Sequence, residues 1–172
     1  MSETPQQYTQ RILDNAAGKD ALRVQRGTAA QLKKLTKGLD KKQLRWRPAA
    51  GKWSIAEILA HLADTEIVAG WRLRLILGSN GTPIVAFDQD SWASVLQYGK
   101  SDPKWSIETF RVLRENNLRM LKALPKPLWE NYGMHSERGR ESIAHIVRMF
   151  AGHDINHVRQ IEEIRKQVRK QG

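Results

Sequence analysis

Two histidines near the carboxyl end of the chain have the spacing of metal ligands on one helix. Apolar residues recur around them at steps of three and four, the period of one helical face: Ile143, Ile146, Val147, Phe150, Ile161, Ile164 and Val168. His153 and His157 occupy that face, and their Cβ atoms would lie roughly 5–6 Å apart. Such a pair can offer two nitrogens to one metal ion. Hydrogen-bonded histidines of a core or an interface are the alternative.

A third histidine lies on another apolar helix. Ser54 and Glu57 have the form of a capping box, and the helix that they begin carries His61 three residues after Ile58. A buried, hydrogen-bonded histidine is again the alternative. Three buried imidazoles would each need partners, whereas convergence on one ion would explain all of them. The sequence thus makes His61 a candidate third ligand beside the helical pair.

Four polar residues near these histidines are weaker candidates. Asp64, three residues after His61, is expected to form a structural ion pair, with orientation of the imidazole as the alternative. Glu57 is expected to be used by the helix cap. Asp154 and Asn156 are expected to lie off the core stripe, although either could orient an imidazole. None of the four is predicted to be a general base.

Other aromatic residues have open roles. Trp53, Trp92 and Trp105 are expected in the core, with the lining of a pocket as the alternative. His135 lies in a loop near one end of the predicted helices, where it could border a site. His145 lies eight residues before the first histidine of the helical pair and is expected simply to pack.

The composition limits the available chemistry. The chain has 172 residues and no cysteine, which excludes a disulfide framework, a thiolate metal site and a cysteine nucleophile. Any transition metal would therefore be held by His, Asp or Glu. The amino terminus shows no secretion signal, and no apolar run approaches the ~18 residues of a membrane helix. We expect a cytoplasmic protein with no membrane association.

Positive charge is concentrated in one part of the chain. The formal net charge is +11, and residues 19–52 hold eleven Lys or Arg against two Asp. A basic block of this kind could face phosphates, which makes a nucleic-acid-binding helical protein the alternative function. A solvated helix face is the favoured interpretation, because charge runs usually have that role. Regular aromatic interleaving and a helix-turn-helix signal are both missing.

Periodicity predicts an all-α protein. Long helices are expected near 20–37, 54–77, 103–124 and 142–170, with short ones at 4–17 and from 88 to about 98. Residues 79–90 and 128–139 are interpreted as connectors, since no convincing strand alternation appears. We expect one four-helix-bundle domain spanning 1–172. Bundles place metal sites in the core between facing helices.

Four stretches of the chain resemble a known family. They are GKWSIAEILAHLADTE at 51–66, FDQDSW at 87–92, HSERG at 135–139 and GHDINHVRQI at 152–161. Together, and in this order, they closely resemble the DinB-like (YfiT-like) superfamily over nearly the whole chain. The combination of one helix with a single histidine and another with an H-x₃-H motif is a specific signal for this family. Each of the two motifs alone is weak evidence.

The resemblance implies a four-helix bundle with a metal site. In such proteins three histidines, matched here by His61, His153 and His157, bind a divalent ion, usually nickel or zinc. A homodimer is also implied. Members with known chemistry include transferases of low-molecular-weight thiols, a thiol-dependent isomerase and proposed metal hydrolases. We therefore expect a metal-dependent thiol transferase or hydrolase acting on a small molecule.

Three protein ligands would leave a coordination position open, the pattern of catalytic sites. Three neutral imidazoles would also leave the charge of a divalent ion uncompensated, which suits hydroxide, thiolate or carboxylate as a further ligand. The ion could then activate a bound water or thiol. A non-catalytic bundle with a structural metal is the remaining alternative, and a fourth protein ligand would favour it.

Overall fold

The computed structural model describes residues 3–170. The helices are α1 (Pro5–Asn15), α2 (Ala21–Thr36), α3 (Lys41–Arg45), α4 (Ile55–Gly78), α5 (Gln89–Val95), α6 (Pro103–Lys122) and α7 (Ile143–Arg169). The strands are β1 (Thr82–Ile84), β2 (Tyr132–His135) and β3 (Gly139–Ser142), and two 3₁₀ turns are Tyr98–Lys100 and Lys126–Glu130.

The four long helices close into a ring. Helix α2 packs against α6 and α7, and α4 packs against the same two helices from the other side. Helix α1 lies outside this ring, against α7. The expected all-α four-helix bundle is confirmed. No helix within residues 3–170 has the length and apolar character needed to cross a membrane.

The starts of the two histidine-bearing helices are set by serine caps. The Ser54 hydroxyl accepts from the backbone N–H of Glu57 at 3.3 Å, while the Glu57 carboxylate accepts from the N–H of Ser54 at 2.8 Å. Ser142 caps α7 by accepting from the N–H of His145 at 3.1 Å. Each cap satisfies N–H groups that have no partner inside the helix. They fix where His61 and His153 stand along the bundle.

Polar residues divide the core of the bundle. One apolar cluster contains Ile76, Leu121 and Phe150, and a second contains Phe110 and Ile161. Nine buried residues near these two clusters are polar, and we call them the polar layer. They are Gln25, Thr28, His61, Glu66, Arg114, Asn117, His153, Asp154 and His157. Buried polar groups that serve the fold normally have hydrogen-bond partners. The partners of each residue in this layer therefore bear on whether its role is structural.

A three-stranded sheet occupies regions that we expected to be connectors. Strand β1 pairs in parallel with β2, and β2 pairs antiparallel with β3. The interpretation of residues 79–90 and 128–139 as structureless connectors is therefore wrong in part. Each strand has only three or four residues, and Thr82 pairs with the distant Gly133, so the local sequence holds no periodic signal. The sheet places His135 at the end of β2.

Helix α1 approaches α7 closely at a glycine. A Cβ atom built on Gly152 would lie 1.9 Å from the carbonyl oxygen of Ile12, so only glycine permits this contact. The contact holds α1 against the start of the histidine segment. Tyr8 and Ile12 of α1 consequently form one wall of the cavity beside His153.

Candidate metal centre

The three predicted histidines lie in one cluster. The Nε2 atoms of His61 and His157 are each 3.1 Å from Nε2 of His153, and the candidate ligand atoms of all three lie within 4.8 Å of one another. Their exposed fractions are 2% for His61, 8% for His153 and 7% for His157. Helix α4 supplies one ring and the adjacent α7 supplies two. The residues that the sequence singled out thus converge at one point.

Hydrogen bonding leaves this cluster incomplete. Nδ1 of His157 lies 2.7 Å from Oε1 of Gln160, so Nδ1 donates its proton and Nε2 keeps a free lone pair. Nδ1 of His153 is buried and has no hydrogen-bond partner among the described residues. Either tautomer of His153 therefore leaves that atom unsatisfied. Hydrogen bonds between the rings alone do not explain why they are buried together.

The electrostatics keep the imidazoles neutral. Burial, reinforced by the neighbouring His157, lowers the pKa of His61 to about 3. Burial also lowers the pKa of His157 to about 4, against the opposing effect of the Gln160 hydrogen bond. Desolvation, with the two other rings, lowers the pKa of His153 well below its ordinary value. Neutral imidazole is the form that binds metals, so no proton must be removed at pH 7.

The donor set fits a divalent transition metal. Two nitrogens bound at ~2.1 Å to one ion are about 3.4 Å apart in tetrahedral geometry and about 3.0 Å apart in octahedral geometry. The observed separation of 3.1 Å lies between these values. No fourth His, Asp or Glu in residues 3–170 joins the cluster. The arrangement can hold an ion with three nitrogens and leave room for a further ligand.

A second buried polar group lies next to the histidines. Arg114 donates to both carboxylate oxygens of Asp154, at 2.5 and 3.0 Å, and to Oε1 of Glu66 at 2.8 Å. Thr28 donates to Asp154 at 2.7 Å, and Asn117 donates to Oε2 of Glu66 at 3.2 Å. We call these five residues the arginine network.

The expectation that Asp154 lies off the core stripe is wrong. Asp154 is 1% exposed, because α2 and α6 cover the face of α7 that carries it. Its neighbour Asn156 is only partly buried and accepts from Arg11 of α1 at 3.3 Å. The stripe seen in sequence includes only apolar residues. A carboxylate that is buried with an arginine from another helix gives no such signal.

The other candidates have structural contacts. Asp64 accepts from the hydroxyl of Tyr98 at 2.6 Å rather than pairing with an arginine, and burial raises the pKa of that tyrosine. Glu57 forms the expected cap and also accepts from Arg47 at 3.0 Å. His145, beside the cap of α7, is partly buried.

The tryptophans differ from one another. Trp53 is half-buried and packs on His61 with 4.9 Å between ring centroids, and it lines a cavity beside His157. Trp92 is also half-buried, against Phe87. Trp105 is 73% exposed, so the expectation that it belongs to the core is wrong. Trp53 is therefore the tryptophan that shields the histidine cluster.

Two cavities flank the histidines. The smaller, of about 260 Å³, is lined by His61, His153, His135 and Arg72, among others. The larger, of about 540 Å³, reaches His157. His135 thus borders the same cavity as two of the candidate ligands. Both cavities give small molecules access to the cluster.

Comparison with known proteins identifies the family. The model of the DinB superfamily matches residues 26–161. The chain belongs to the DinB superfamily. The bundle also resembles that of a solved structure described as "YfiT from Bacillus subtilis is a probable metal-dependent hydrolase with an unusual four-helix bundle topology", with a TM-score of 0.79 and 21% identity over 86% of this chain and 85% of that one.

Relatives of this DinB-superfamily chain carry functional names. A Bacillus cereus protein named "Putative metal-dependent hydrolase" is 25% identical over 138 residues, which are 80% of this chain and 79% of the relative. An Oceanobacillus iheyensis protein with the same description is 26% identical over 135 residues, 78% of each chain.

Sequence reasoning missed three residues of this DinB-superfamily site. Gln160 lies three positions after His157, and that i, i+3 spacing on a helix could have identified it as an orienting partner. Arg114 and Arg72 had no comparable signal. Arg114 contacts Asp154 and Arg72 contacts His135, and both partners are far away in the sequence. These contacts become visible only when the helices are packed together.

Proposed function

We propose that this chain is a divalent-metal-dependent enzyme whose ion is held by His61, His153 and His157. The observation that carries the proposal is the cluster itself: three imidazoles are buried and neutral, and Nε2 of His153 lies 3.1 Å from Nε2 of each of the other two. The Nε2 contacts support it, because a single proton on Nε2 of His153 cannot satisfy both neighbouring rings, whereas one ion can bind the lone pairs of all three.

Nickel or zinc is the proposed metal. Imidazole nitrogen suits both ions, and the chain has no thiolate to offer. When bound, such an ion supplies Lewis acidity that lowers the pKa of a water or thiol and so provides a nucleophile at neutral pH. The protein has no cysteine, so any thiol would be a low-molecular-weight co-substrate.

Residues around the ligands would orient them and balance charge. Gln160 accepts from Nδ1 of His157 and fixes the direction of that ring. The arginine network combines two carboxylates with one guanidinium, a formal excess of one negative charge, and one of its carboxylates belongs to Asp154, the residue after His153. Trp53 covers His61 and limits the access of water. These contacts preorganise the three nitrogens before a substrate arrives.

A catalytic metal is favoured over a structural one. Structural zinc sites are closed by four protein ligands, whereas catalytic sites keep a position open. Within residues 3–170 the cluster contains three potential ligands and adjoins two cavities. An ion in this position would be reachable by a small substrate.

Hydrolysis and thiol transfer are two forms of the same proposal. The names of the relatives favour a hydrolase. The charge of an ion on three neutral ligands favours any anionic nucleophile, hydroxide or thiolate alike. The experiment is an activity screen with an ester and amide panel, and with several cellular thiols plus an electrophile, each with nickel or zinc. Product that forms only with added thiol supports transfer, and product without thiol supports hydrolysis.

The control for this screen is the His153→Ala variant, assayed with the same metal ion. We expect the variant to lose activity by at least about a hundredfold, because the ion loses its central ligand. Equal activity in both proteins would show that the histidine cluster is not the catalyst.

A basic groove keeps nucleic-acid binding as a second candidate. Arg26, Lys33 and Lys37 of the basic block, with Lys104 and Arg111 of α6, line a groove that shares no residue with the two cavities at the histidines. Duplex DNA binding that falls steeply between 50 and 200 mM salt would support this candidate. Salt-insensitive or absent binding would exclude it.

Two further expectations, a homodimer and a cytoplasmic location, also remain proposals. A homodimer would cover exposed apolar residues such as Ile67 and Trp71, which lie one turn apart on α4 and are 51% and 62% exposed. Analytical ultracentrifugation of the wild type and Trp71→Ser tests this face, and a monomer in both would exclude the dimer. Cytoplasmic location stays a prediction that cell fractionation would test.

A further inference from the structure

A buried arginine faces the same cavity as the histidine cluster. Arg72 is 5% exposed and lines the 260 Å³ cavity together with His61 and Thr65. These three residues of α4 are spaced by four and seven positions and so share one helical face. The Arg72 side chain reaches His135, which lines the same cavity.

The guanidinium of Arg72 has no anionic partner. No carboxylate in residues 3–170 lies within 4.0 Å of it. One terminal nitrogen, Nη2, makes its two polar contacts, with the carbonyl oxygen of Val85 and Nε2 of His135, both at 3.3 Å. A buried cation without a counter-charge is costly, and this site gives it two long polar contacts and the face of the Phe87 ring at 5.9 Å.

The charged groups nearest to Arg72 do not supply that counter-charge. Glu141 is buried but accepts from Arg138 at 2.7 and 3.1 Å, so its carboxylate is already paired. Glu137 is exposed at the rim of the cavity. Burial lowers the pKa of Arg72 to about 10, and the side chain is still charged at pH 7.

His135 cannot satisfy all the donors around it. Nε2 faces Arg72, while Nδ1 faces the backbone N–H of Glu137 at 3.2 Å. A neutral imidazole has one lone pair, so it accepts from only one of these donors. Burial, with the nearby Arg138, lowers the pKa of His135 to about 4, and the ring is neutral at pH 7. An external acceptor would resolve the excess of donors.

We propose that Arg72 binds the carboxylate of a small substrate and so directs the rest of that molecule toward the histidine cluster. Aromatic and aliphatic side chains also line the cavity: Tyr8, Ile12, Phe87, Met149 and Phe150. The volume is near the lower limit for ligand pockets. The substrate class is therefore a compact organic acid with an apolar body. The substrate role rests on the function proposed above, whereas the binding of the carboxylate does not.

The test uses benzoate and its neutral analogue benzamide as probes. Calorimetry measures the affinity of each for the full chain, both as purified and after chelator treatment. Charge-assisted hydrogen bonds favour benzoate, so we expect it to bind at least about tenfold more tightly than benzamide. The preference should persist in the chelator-treated protein and in His61→Ala. Arg72→Gln should abolish it.

Matched variants control for net charge and folding. Arg119→Gln removes the same charge from an exposed position on α6 and should leave the benzoate preference unchanged. Arg72→Lys keeps the charge but loses the planar fork, and it should retain a weaker preference. Thermal unfolding of each variant shows whether it is folded. If Arg72→Gln does not fold, the proposal is decided by the wild-type preference and by Arg72→Lys.

Each possible outcome is decisive. Equal affinity for the two probes, affinity weaker than about 10 mM, or an unchanged preference in Arg72→Gln would overturn the proposal. A preference that disappears on chelation or in His61→Ala would place benzoate on the ion, which overturns the Arg72 site and supports the metal site. A preference that depends on Arg72 in a protein without metal or activity would support this site while the proposed function fails.

Discussion

The two halves of the polar layer are equally buried but differ in how their polar groups are paired. In the arginine network, the terminal nitrogens of Arg114 donate to two carboxylates, and Thr28 and Asn117 donate to the same carboxylates, while Nε of Arg114 has no partner in residues 3–170. In the histidine cluster, three ring nitrogens face one another and Nδ1 of His153 has no partner in the described structure. Burial alone therefore does not identify a functional group. The half in which ring nitrogens face one another, with no charged partner among the described residues, is the one prepared for an ion.

The same contrast separates two buried arginines. Arg114 lies between two helices with its charge neutralised, whereas Arg72 lies at a cavity with no carboxylate within 4.0 Å in the described residues. We interpret the first as part of the packing and the second as part of the site. The predictions below test this distinction, beginning with the largest effect.

Removal of Arg114 should cause the largest loss of stability. Arg114→Met leaves Glu66 and Asp154 buried without a cation, which costs about 3–5 kcal/mol. By contrast, His153→Leu in chelator-treated protein should cost less than about 1 kcal/mol, because that ring is poorly satisfied. Urea unfolding of both variants measures the difference.

The control for this pair is Arg119→Met on the exposed side of α6, which should change stability by under about 1 kcal/mol. A loss for His153→Leu as large as that for Arg114→Met would show that the two halves of the polar layer have the same role.

Metal should stabilise the fold through the histidine cluster. An ion at a hundred times its dissociation constant adds about 2.7 kcal/mol to the free energy of unfolding. We expect this gain in wild-type protein with zinc or nickel and its loss in His157→Ala. His145→Ala, near the cap of the same helix, is the matched control and should keep the gain. Stabilisation that survives in His157→Ala would place the ion elsewhere.

Loss of the orienting amide should weaken the site without removing a ligand. Gln160→Leu leaves the proton on Nδ1 of His157 without an acceptor, and such changes reduce metal affinity about 10- to 100-fold. Competition with a chromophoric chelator measures the affinity. Gln167→Leu, two turns further along α7, should have the wild-type value. Equal affinities in both variants would exclude an orienting role for Gln160.

Acid should destabilise the metal-free protein through the histidines. The pKa values of His61 and His157 are about 3 and 4 in the fold, below the unfolded value of ~6.5. Between pH 6.5 and 4 the unfolded chain binds protons that the folded chain does not, so stability falls as pH decreases. One such group contributes up to about 1.4 kcal/mol per pH unit.

In His61→Phe the free energy of unfolding should therefore depend less steeply on pH. Between pH 6.5 and 4 the difference in slope should correspond to about one bound proton. Urea unfolding at several pH values measures this slope. Above pH 7.5 the slopes of the two proteins should agree, since the ring is neutral in both states there. An unchanged slope in the acid range would mean that His61 is not shielded from protonation.

The sequence predicted the helices and the histidine cluster because both have periodic signals. Ser54 and Glu57 indicated the start of α4, and His153 and His157 took the place of apolar residues in the periodic pattern of α7. Their meeting with His61 required two helices to be adjacent, which the family resemblance supplied and periodicity did not. The bundle and the metal candidates were therefore predictable.

The partners of these residues were not predictable, because they come from distant parts of the chain. Arg114 reaches Asp154 across 40 positions, and Arg72 reaches His135 across 63. Strands β1 and β2 are likewise paired across a large separation and are too short to alternate. Such contacts depend on packing, which no local pattern records.

The most direct test is the metal content of protein purified without an affinity tag. Elemental analysis should find close to one nickel or zinc ion per chain in the wild type and in His145→Ala, and almost none in His61→Ala. Three imidazoles whose candidate ligand atoms lie within 4.8 Å of one another should retain an ion through purification. Less than about a tenth of an equivalent in the wild type after incubation with metal, or full occupancy in His61→Ala, would contradict the proposed three-histidine site.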